Sequence, residues 1–560
     1  MSVRVWRSHA VPQDLVNGRV LLIVAPAWTT KEPRTLVTDG DDTAQVYGRD
    51  VMGWGPSDGM TFDADVDGYP VRSLEALPAG DYRVQVVFNR YELFQRSDGR
   101  TLSLPPEKGE GQQWQLKPGN FVSPPRSVHL APGERVDLTL DRVLPPVPER
   151  PDTAYVKHVK LRSEKLSRFW GRTVELGAIV LLPEGFQTHK DAHYPLMIAH
   201  GHFTPELWGW RETPPDSSLK DPDTEALKRD CPDGHTPGCE RAGYPKLVQQ
   251  LSYAFYKRWT GPDFPRVLLV QLEHANPFYD DSYAVNSANL GPYGDAITEE
   301  LVPYIEEKFR GLGPWARGLY GGSTGGWEAL AAQVFYPDAY NGVVANCPDP
   351  VDFHHYVSVN LYGARNAYFT EGPFRKTPRP SSRAPLGYTT STMEQDNLHE
   401  LALGTHSRSG GQYDIWEAVY SPVGPDGYPR RVYDKHTGAI DPETVRYWYE
   451  HYDLTHILAR DWAKLGPKLQ GKLRINVGHM DTYFLDGAVM RLDRLLTSAQ
   501  NPVSEATVAY GALDGHCWSG DAEHPNFISR LTAHERFIPQ LVEHFLTTAP
   551  AGADMTSWLY

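Results

Sequence analysis

The segment around Ser323 places the strongest constraint on the fold of this chain. Residues 321–325, Gly-Gly-Ser-Thr-Gly, follow the G-x-S-x-G pattern of a nucleophile elbow. The serine of such an elbow lies on a strained turn between a strand and a helix, so its neighbours two positions away must be small. With 49 glycines in the chain, an ordinary glycine turn could give the same pattern. Residues 318–320 are strand-like and residues 327–335 favour a helix, which predicts an elbow with Ser323 as the candidate nucleophile.

The downstream sequence offers the two partners that a nucleophilic serine needs. A histidine base and an acid that orients it follow the serine in the order acid, then histidine. Residues 473–477 alternate as a strand that leads to Asp481, and residues 506–510 form the next strand, which leads to His516. Both side chains therefore lie in loops after strands, where the functional groups of open α/β sheets gather. We predict Asp481 as the acid and His516 as the base.

The position of the acid has an alternative. Asp349 lies in the loop after the strand that follows the elbow, and some hydrolases of this kind place their acid there. An ordinary Asp-Pro turn would also explain this residue. Asp352 and Asp486 are weaker candidates in the same two loops. The sequence favours Asp481 but leaves Asp349 open.

Acyl transfer also requires two N–H groups that stabilise the developing oxyanion. In an elbow fold these are the amide after the nucleophile, here that of Thr324, and one in the loop after an early strand. Residues 194–199 form a buried type of strand, so we assign the second donor to the amide of His202, with Phe203 as the alternative. His200 and His202 could bind zinc, but no Cys, Asp or His at ligand spacing completes a set nearby. We therefore expect no metal.

Three aromatic residues are candidate substrate contacts. Phe203 and Trp518 stand on the loops of the predicted oxyanion donor and of the histidine, and Tyr283 ends a loop at residues 273–283 that follows the strand at residues 267–272. A loop at the carboxyl end of a strand could line a pocket. A solvated acidic loop explains residues 273–283 equally well.

Together these motifs resemble the esterase D-like (putative esterase) family of the α/β-hydrolase superfamily, over about residues 155–548. The resemblance implies a Ser-His-Asp serine hydrolase that cleaves a carboxylic ester without a cofactor, and it leaves the substrate open. Acyl transfer and peptide hydrolysis use the same machinery, and a non-catalytic binding protein on a hydrolase fold is the alternative from another class. The segment between Ser323 and Asp481 is longer than the family pattern. The motifs are Tyr194-Pro195 to His200-Gly201, Gly291-Pro292-Tyr293-Gly294-Asp295, the elbow, Gly478-x-x-Asp481 and Gly515-His516-x-Trp518.

The four cysteines are too few for a zinc framework or a disulfide scaffold. Tannase-like esterases link the neighbour of their histidine by a disulfide to a cysteine beside the nucleophile. Cys517 follows His516, but no cysteine stands beside Ser323, so we expect Cys347 and Cys517 to be free thiols. Cys231 and Cys239 could pair in an oxidising compartment.

The chain as a whole predicts an α/β-hydrolase with a doubly wound sheet, preceded by an all-β region. Residues 155–560 alternate strands and helices, with insertions at about 203–265 and 353–468 that we expect to form a cap selecting the substrate. Residues 1–145 show strand alternation and turns, which predicts a β-sandwich-like domain that binds carbohydrate, shapes the pocket, mediates dimerisation or only packs. Residues 146–154 form a Pro-rich linker.

The composition of the chain limits the classes of partner that we expect it to bind. A net charge of −15 argues against nucleic acid and anionic membrane surfaces, and no apolar run approaches the roughly 20 residues that span a bilayer. We therefore expect a small-molecule ester as the partner and no nucleic acid or membrane; a homodimer is compatible with the sequence. No leader is visible, which favours the cytoplasm, or the periplasm or exterior if a leader was removed before Met1.

Overall fold

The computed structural model describes residues 1–63, 66–221, 244–384, 386–524 and 526–560. The amino-terminal part is all β and the remainder is α/β, as the patterns of alternation predicted. The sites Cys231 and Cys239, for which a disulfide was considered, lie outside the described residues.

The amino-terminal region is a sandwich of two sheets. A three-stranded sheet in the order β10-β1-β4 shares a core with a larger sheet in the order β11-β8-β6-β2-β3-β5, and β7 and β9 also pair with β6. Short 3₁₀ helices occur at Pro33–Leu36, Leu74–Ala76 and Trp114–Leu116. The strands are β1 (Ser2–Arg7), β2 (Val16–Pro26), β3 (Gln45–Trp54), β4 (Met60–Phe62), β5 (Asp67–Tyr69), β6 (Gly80–Gln95), β7 (Thr101–Leu104), β8 (Phe121–Val122), β9 (Arg126–Leu130), β10 (Arg135–Leu140) and β11 (Arg142–Val143).

Strand β2 shows why this sandwich does not stand apart from the α/β region. Successive side chains of a strand point to opposite faces of its sheet. Leu22 and its alternate neighbours fill the sandwich core, whereas Leu21 and Ile23 belong to a second buried cluster on the other face. That cluster includes Tyr279 and Ala402 of the α/β region. The outer face of the larger sheet is therefore an interface with the α/β region, which explains the apolar run in β2.

The α/β region is built on one eight-stranded sheet in the order β12-β13-β15-β14-β18-β19-β24-β25. The first two strands are antiparallel to their neighbours, and the six from β15 to β25 run parallel. This is the α/β-hydrolase fold. The strands are β12 (Val156–Arg162), β13 (Glu175–Leu181), β14 (Leu196–His200), β15 (Leu268–Glu273), β16 (Asn286–Ser287), β17 (Gly291–Pro292), β18 (Arg317–Gly322), β19 (Val343–Asn346), β20 (Phe369–Glu371), β21 (Lys376–Pro378), β22 (Pro380–Arg383), β23 (Thr389–Thr392), β24 (Leu473–Gly478) and β25 (Thr507–Gly511).

Helices connect and cover the parallel strands. A π-helical turn at Ile297–Leu301 precedes α4, and the two together bury Ile297, Leu301, Ile305 and Phe309, which are spaced four residues apart. Further 3₁₀ helices lie at Pro314–Ala316, Phe353–His355 and Arg530–Thr532. The α-helices are α1 (Glu164–Trp170), α2 (Pro245–Trp259), α3 (Tyr293–Ala296), α4 (Val302–Phe309), α5 (Thr324–Phe335), α6 (Met393–Leu403), α7 (Gln412–Tyr420), α8 (Pro442–Tyr452), α9 (Leu454–Leu469), α10 (Asp486–Ser498), α11 (Asn526–Ser529) and α12 (Ala533–Thr548).

Most buried apolar side chains of the long insertion between β19 and β24 belong to the same hydrophobic core as the eight-stranded sheet. The insertion contains β20 to β23 and α6 to α9. Trp448 is fully buried there and packs against Phe353, Tyr356 and Tyr420 at ring-centroid distances of 5.3–5.7 Å. Its role is therefore packing within the insertion. Among the helices of the described ranges, none combines the length and apolarity needed to cross a bilayer.

Candidate active site

The elbow around Ser323 has the strained backbone that its sequence predicts. Ser323 links β18 to α5 with φ 56° and ψ −123°, a conformation that L-residues rarely adopt. The neighbouring backbones approach too closely for side chains: a Cβ on Gly325 would lie 2.2 Å from the carbonyl oxygen of His200, and one on Gly321 would lie 2.3 Å from that of Gly325. The two glycines are thus sterically required, and the turn presents the serine hydroxyl above the sheet.

The structure brings three predicted side chains together at the carboxyl ends of the parallel strands. Nε2 of His516 lies 3.0 Å from Oγ of Ser323, and Nδ1 of His516 lies 2.9 Å from Oδ2 of Asp481. The other oxygen of Asp481 accepts the backbone N–H groups of Tyr483 at 2.9 Å and Leu485 at 3.3 Å. Asp481 is fully buried, so these bonds fix its orientation. The arrangement has the contacts of a nucleophile, a base and an orienting acid.

Asp349, the alternative acid, lies on another side of the nucleophile. Its Oδ1 is 3.4 Å from Oγ of Ser323, while its Oδ2 accepts four other hydrogen bonds. The structure thus places Asp349 at the serine and Asp481 at the histidine. Burial raises the pKa of Asp349, and the hydrogen bond from Tyr283 opposes that effect. The donors to Oδ2 are Tyr283 OH at 2.7 Å, Thr324 Oγ1 at 3.1 Å, Trp416 Nε1 at 3.2 Å and Gln412 Nε2 at 3.4 Å.

The two predicted oxyanion donors lie on adjacent loops. Thr324 is the first residue of α5, and His202 follows β14, which is the parallel neighbour of β18. Nε2 of His202 is 3.3 Å from Oγ1 of Thr324, and its Nδ1 is 2.9 Å from Oδ2 of Asp281. Burial alone would lower the pKa of His202, but hydrogen bonds to Asp280 and Asp281 outweigh it and hold the pKa well above its usual value. The two aspartates therefore favour the charged imidazolium form of His202.

The expectation that no further ligand type lies near the two histidines is wrong. Nδ1 of His200 lies 3.5 Å from Glu328, which lies 3.8 Å from Nε2 of His274, and all three side chains are buried. His274 is brought in by β15 and Glu328 by α5, and neither is near His200 in sequence. A similar group joins His202 to its two aspartates.

The first of these groups is better suited to holding protons than a metal. Nδ1 of His274 lies 2.8 Å from Oγ of Ser282 and 3.3 Å from its backbone nitrogen, and Nε2 of the ring faces Glu328. Burial lowers the pKa of His200 to about 3, lowers that of His274 and raises that of Glu328 well above its usual value. Burial thus favours the uncharged forms of all three side chains, whereas a carboxyl group must lose its proton to coordinate a metal ion.

The three candidate substrate contacts differ in their surroundings. Phe203 lines a small cavity together with Glu107 of the β-sandwich. Tyr283 is buried, and its hydroxyl bonds to Thr324 and Asp349 beside the nucleophile. Trp518 is buried and donates its indole N–H to the backbone of its own loop. Tyr283 thus contacts residues beside Ser323, Phe203 lies at a separate small cavity, and Trp518 braces the loop that carries the histidine.

Sequence reasoning expected a cap from the long insertion but did not identify which of its residues reach this site. Gln412, the first residue of α7, and the buried Trp416 donate hydrogen bonds to Asp349. Gln412 also donates to the hydroxyl of Tyr283. The aromatic content of the insertion predicted a cap, but no local pattern distinguishes Trp416, which reaches the site, from Trp448, which does not.

The cysteines beside the triad form a disulfide, which corrects the expectation of free thiols. Cys347 is bonded to Cys517, and Sγ of Cys347 accepts the backbone N–H of Ser323 at 3.2 Å. The expectation required a cysteine adjacent to Ser323 in sequence. The structure supplies one from the loop after β19, the strand next to the elbow. The bond ties the histidine loop to the neighbourhood of the nucleophile.

We expect removal of this disulfide to weaken both stability and turnover. The bond closes a loop of 170 residues, so the variant Cys347→Ser/Cys517→Ser should lose about 2–5 kcal/mol of unfolding free energy. Turnover should fall because the loop that carries His516 loses its link to the elbow. Urea unfolding and ester hydrolysis of the two proteins measure the two effects. Equal stability of the variant and the parent protein, with both sulfurs alkylated readily in the unreduced parent, would contradict the presence of the bond.

Comparison with known proteins found one family match and several similar solved structures. Residues 273–384 match the model of the putative esterase family. Among solved structures, the chain is similar to a ferulic acid esterase, with 16% identity and a TM-score of 0.33 over 70% of this chain and 99% of that one. It is also similar to an S-formylglutathione hydrolase from Agrobacterium tumefaciens, with 12% identity and a TM-score of 0.31 over 71% and 98% of the two chains. A comparison with curated protein sequences found no match.

The matched segment begins in β15 and contains the elbow. It confirms the resemblance to the esterase D-like family and supports a hydrolase of the esterase class.

Proposed function

Because the chain carries a putative-esterase segment on an α/β-hydrolase fold, we propose that it hydrolyses carboxylic esters through Ser323, His516 and Asp481. The observation that carries the proposal is the chain of contacts from Ser323 Oγ to His516 Nε2 at 3.0 Å and from His516 Nδ1 to Asp481 Oδ2 at 2.9 Å. A serine hydroxyl becomes an effective nucleophile when such a base can accept its proton.

The geometry supports a two-step reaction. Ser323 Oγ attacks the carbonyl carbon of the ester while His516 accepts the serine proton, and Asp481 stabilises the imidazolium that forms. His516 then gives this proton to the leaving alcohol, which leaves an acyl group on Ser323. Water attacks the acyl-enzyme with the same base and releases the acid and the free serine.

The oxyanion of each tetrahedral intermediate requires donors that are already in place. We assign these donors to the backbone N–H groups of Thr324 and His202, on the two loops that meet at the elbow. The amide of Thr324 is at the N-terminus of α5, where backbone N–H groups have no partner within the helix. The helix dipole adds a partial positive charge at the same position.

An acyl-enzyme intermediate is the direct test of this proposal. With a p-nitrophenyl ester of a slowly hydrolysed acid, we expect a burst of about one p-nitrophenol per chain, followed by slower turnover. Intact-mass measurement of the acid-quenched protein should show the added acyl group, and peptide mapping should place it on Ser323. Hydrolysis with an adduct on another residue, or no hydrolysis of any activated ester, would refute the mechanism.

The disulfide at the site also bears on the compartment. Disulfides persist mainly in oxidising environments and are uncommon in the reducing cytosol. We propose that the protein acts in an oxidising compartment, such as a periplasm or the cell exterior, in contrast to the cytoplasmic location favoured by the sequence. Fractionation of cells that produce the natural protein would test this proposal.

A further inference from the structure

The two carboxylate oxygens of Asp349 differ in their hydrogen bonding, and the less satisfied one, Oδ1, faces Ser323. The side chain is 3% exposed, and its Oδ2 is satisfied by four donors from three different segments. Among the described residues, its Oδ1 has a single contact with a donor, the hydroxyl of Ser323 at the long distance of 3.4 Å. The four donors fix the carboxylate so that Oδ1 points towards the reacting serine.

When Ser323 is poised to react, its hydroxyl no longer donates a hydrogen bond to Oδ1 of Asp349. The serine hydroxyl has one proton, and catalysis requires it to be donated to Nε2 of His516, 3.0 Å away. Oδ1 of Asp349 is then a buried carboxylate oxygen without a donor in the part of the chain that the structure describes. Such a group is costly to bury, because it has lost its hydrogen bonds to water. A donor on the substrate would remove this cost.

The position of Oδ1 indicates where that donor would be. When Ser323 Oγ bonds to the carbonyl carbon, the atoms attached to the adjacent carbon lie within a few ångströms of Oγ. A donor on that carbon is therefore within hydrogen-bond reach of an oxygen 3.4 Å from Oγ. A positive donor also offsets the repulsion between Asp349 and the negative oxyanion that forms beside it.

The surroundings of the cleft are acidic as well. Asp280 and Asp281 share the imidazolium of His202, which leaves a net negative charge, and Oδ2 of Asp280 is buried without a hydrogen-bond partner among the described residues. Asp280 and Asp281 line a small cavity together with Glu107 of the amino-terminal region. A group with a positive charge would meet a favourable potential beside these carboxyl groups.

From this geometry we infer that the preferred substrates are esters with a protonated amine on the carbon next to the reacting carbonyl, and that Asp349 binds this ammonium group. The inference rests on the proposed ester hydrolysis and names the substrate class of the same site. Asp349 contributes a charge-assisted hydrogen bond, which is typically stronger than a bond between neutral groups.

The test uses three p-nitrophenyl esters of nearly equal size: alanyl, lactoyl and propionyl. On the carbon next to the carbonyl they carry an ammonium group, a hydroxyl group or only a hydrogen atom at the same position. Each kcat/KM is divided by the rate of hydroxide-catalysed hydrolysis of the same ester, which removes differences in intrinsic reactivity. We expect the alanyl ester to exceed the propionyl ester by about 10–100-fold, the factor that a hydrogen bond to a charged group supplies. N-acetylation of the alanyl ester should abolish the advantage.

The variant Asp349→Asn separates recognition from packing. The four donors around Oδ2 hold the amide oxygen there, so the amide NH2 faces Ser323 and repels an ammonium group. The preference should fall to about threefold or less, while the propionyl ester is still hydrolysed. The matched control is Asp352→Asn in the same loop, because Asp352 is also buried but bonds to His354 and Arg491, each at 2.7 Å. The Asp352→Asn protein should keep the full preference for the alanyl ester over the propionyl ester.

Each result decides the inference. Hydrolysis of all three esters at similar normalised rates, or equal rates for the alanyl and lactoyl esters, would overturn it and leave the proposed hydrolysis intact. Hydrolysis of none would overturn both proposals. An equal loss of preference in the Asp349 and Asp352 variants would assign it to general packing. If the Asp349 variant does not fold, the comparison of free and N-acetylated alanyl esters with the parent protein remains decisive.

Discussion

Replacement of Ser323 by alanine is expected to abolish ester hydrolysis and labelling by a fluorophosphonate. Removal of a triad nucleophile lowers kcat by about 10⁶-fold, because the covalent route is lost and only binding and oxyanion stabilisation remain. The fold should be unaffected, since alanine has the same Cβ as serine on this strained turn, and the hydroxyl is only partly buried. Steady-state hydrolysis of a small activated ester, in-gel labelling and thermal unfolding measure the three properties.

A serine outside the site serves as the control. Ser498 bonds to the backbone of Leu495 within α10, so Ser498→Ala changes the same atoms without touching the elbow. The Ser498→Ala protein should still hydrolyse esters and still be labelled by the fluorophosphonate. Labelling retained in a folded Ser323→Ala protein would show that another residue is the nucleophile.

The elbow could be predicted from sequence because its requirements are local. The close approach of Gly325 to the backbone of His200 is a contact that only glycine permits, and the pattern around Ser323 reflects it directly. The parallel strands were predictable for a similar reason, since they are short apolar runs separated by helices. The two loops after β24 and β25 followed from chain order, and they carry Asp481 and His516.

The sequence favoured Asp481 over Asp349 but did not settle the choice between them. Asp349 and Asp481 both follow strands of the same parallel sheet, and β19 and β24 are neighbours in it. Strand order therefore places both near Ser323. Only the direction of each side chain shows that Asp481 contacts the histidine, and that direction depends on the hydrogen bonds that surround each carboxylate.

Contacts between distant segments were also beyond the sequence. Trp416 reaches Asp349 from the insertion, and Cys347 reaches Cys517 across 170 residues. The two faces of β2 illustrate the same point in the fold: its apolar run indicated a buried strand, but the partner of its outer face is Ala402, far along the chain. Such pairs leave no periodic signal in one sequence.

The substitution Asp481→Asn is expected to lower kcat by about 10³–10⁴-fold for every ester, whatever its charge. In the parent protein one carboxylate oxygen accepts the N–H groups of Tyr483 and Leu485, and the other faces Nδ1 of His516. In the variant, those two backbone donors hold the amide oxygen, so the NH2 group donates to Nδ1. The ring proton must then sit on Nε2, which can no longer accept the proton of Ser323.

This loss should differ in kind from the effect of Asp349→Asn. That variant leaves the His516 tautomer unchanged, so hydrolysis of the neutral propionyl ester should stay within about tenfold of the parent value, while the alanyl ester loses its advantage. Asp481→Asn should instead lower the rates of both esters by the same factor and leave their ratio unchanged. The measurement is kcat/KM of the two esters for each folded variant. A larger loss with the propionyl ester in Asp349→Asn than in Asp481→Asn would transfer the orienting role to Asp349, because a wrong histidine tautomer affects every substrate equally.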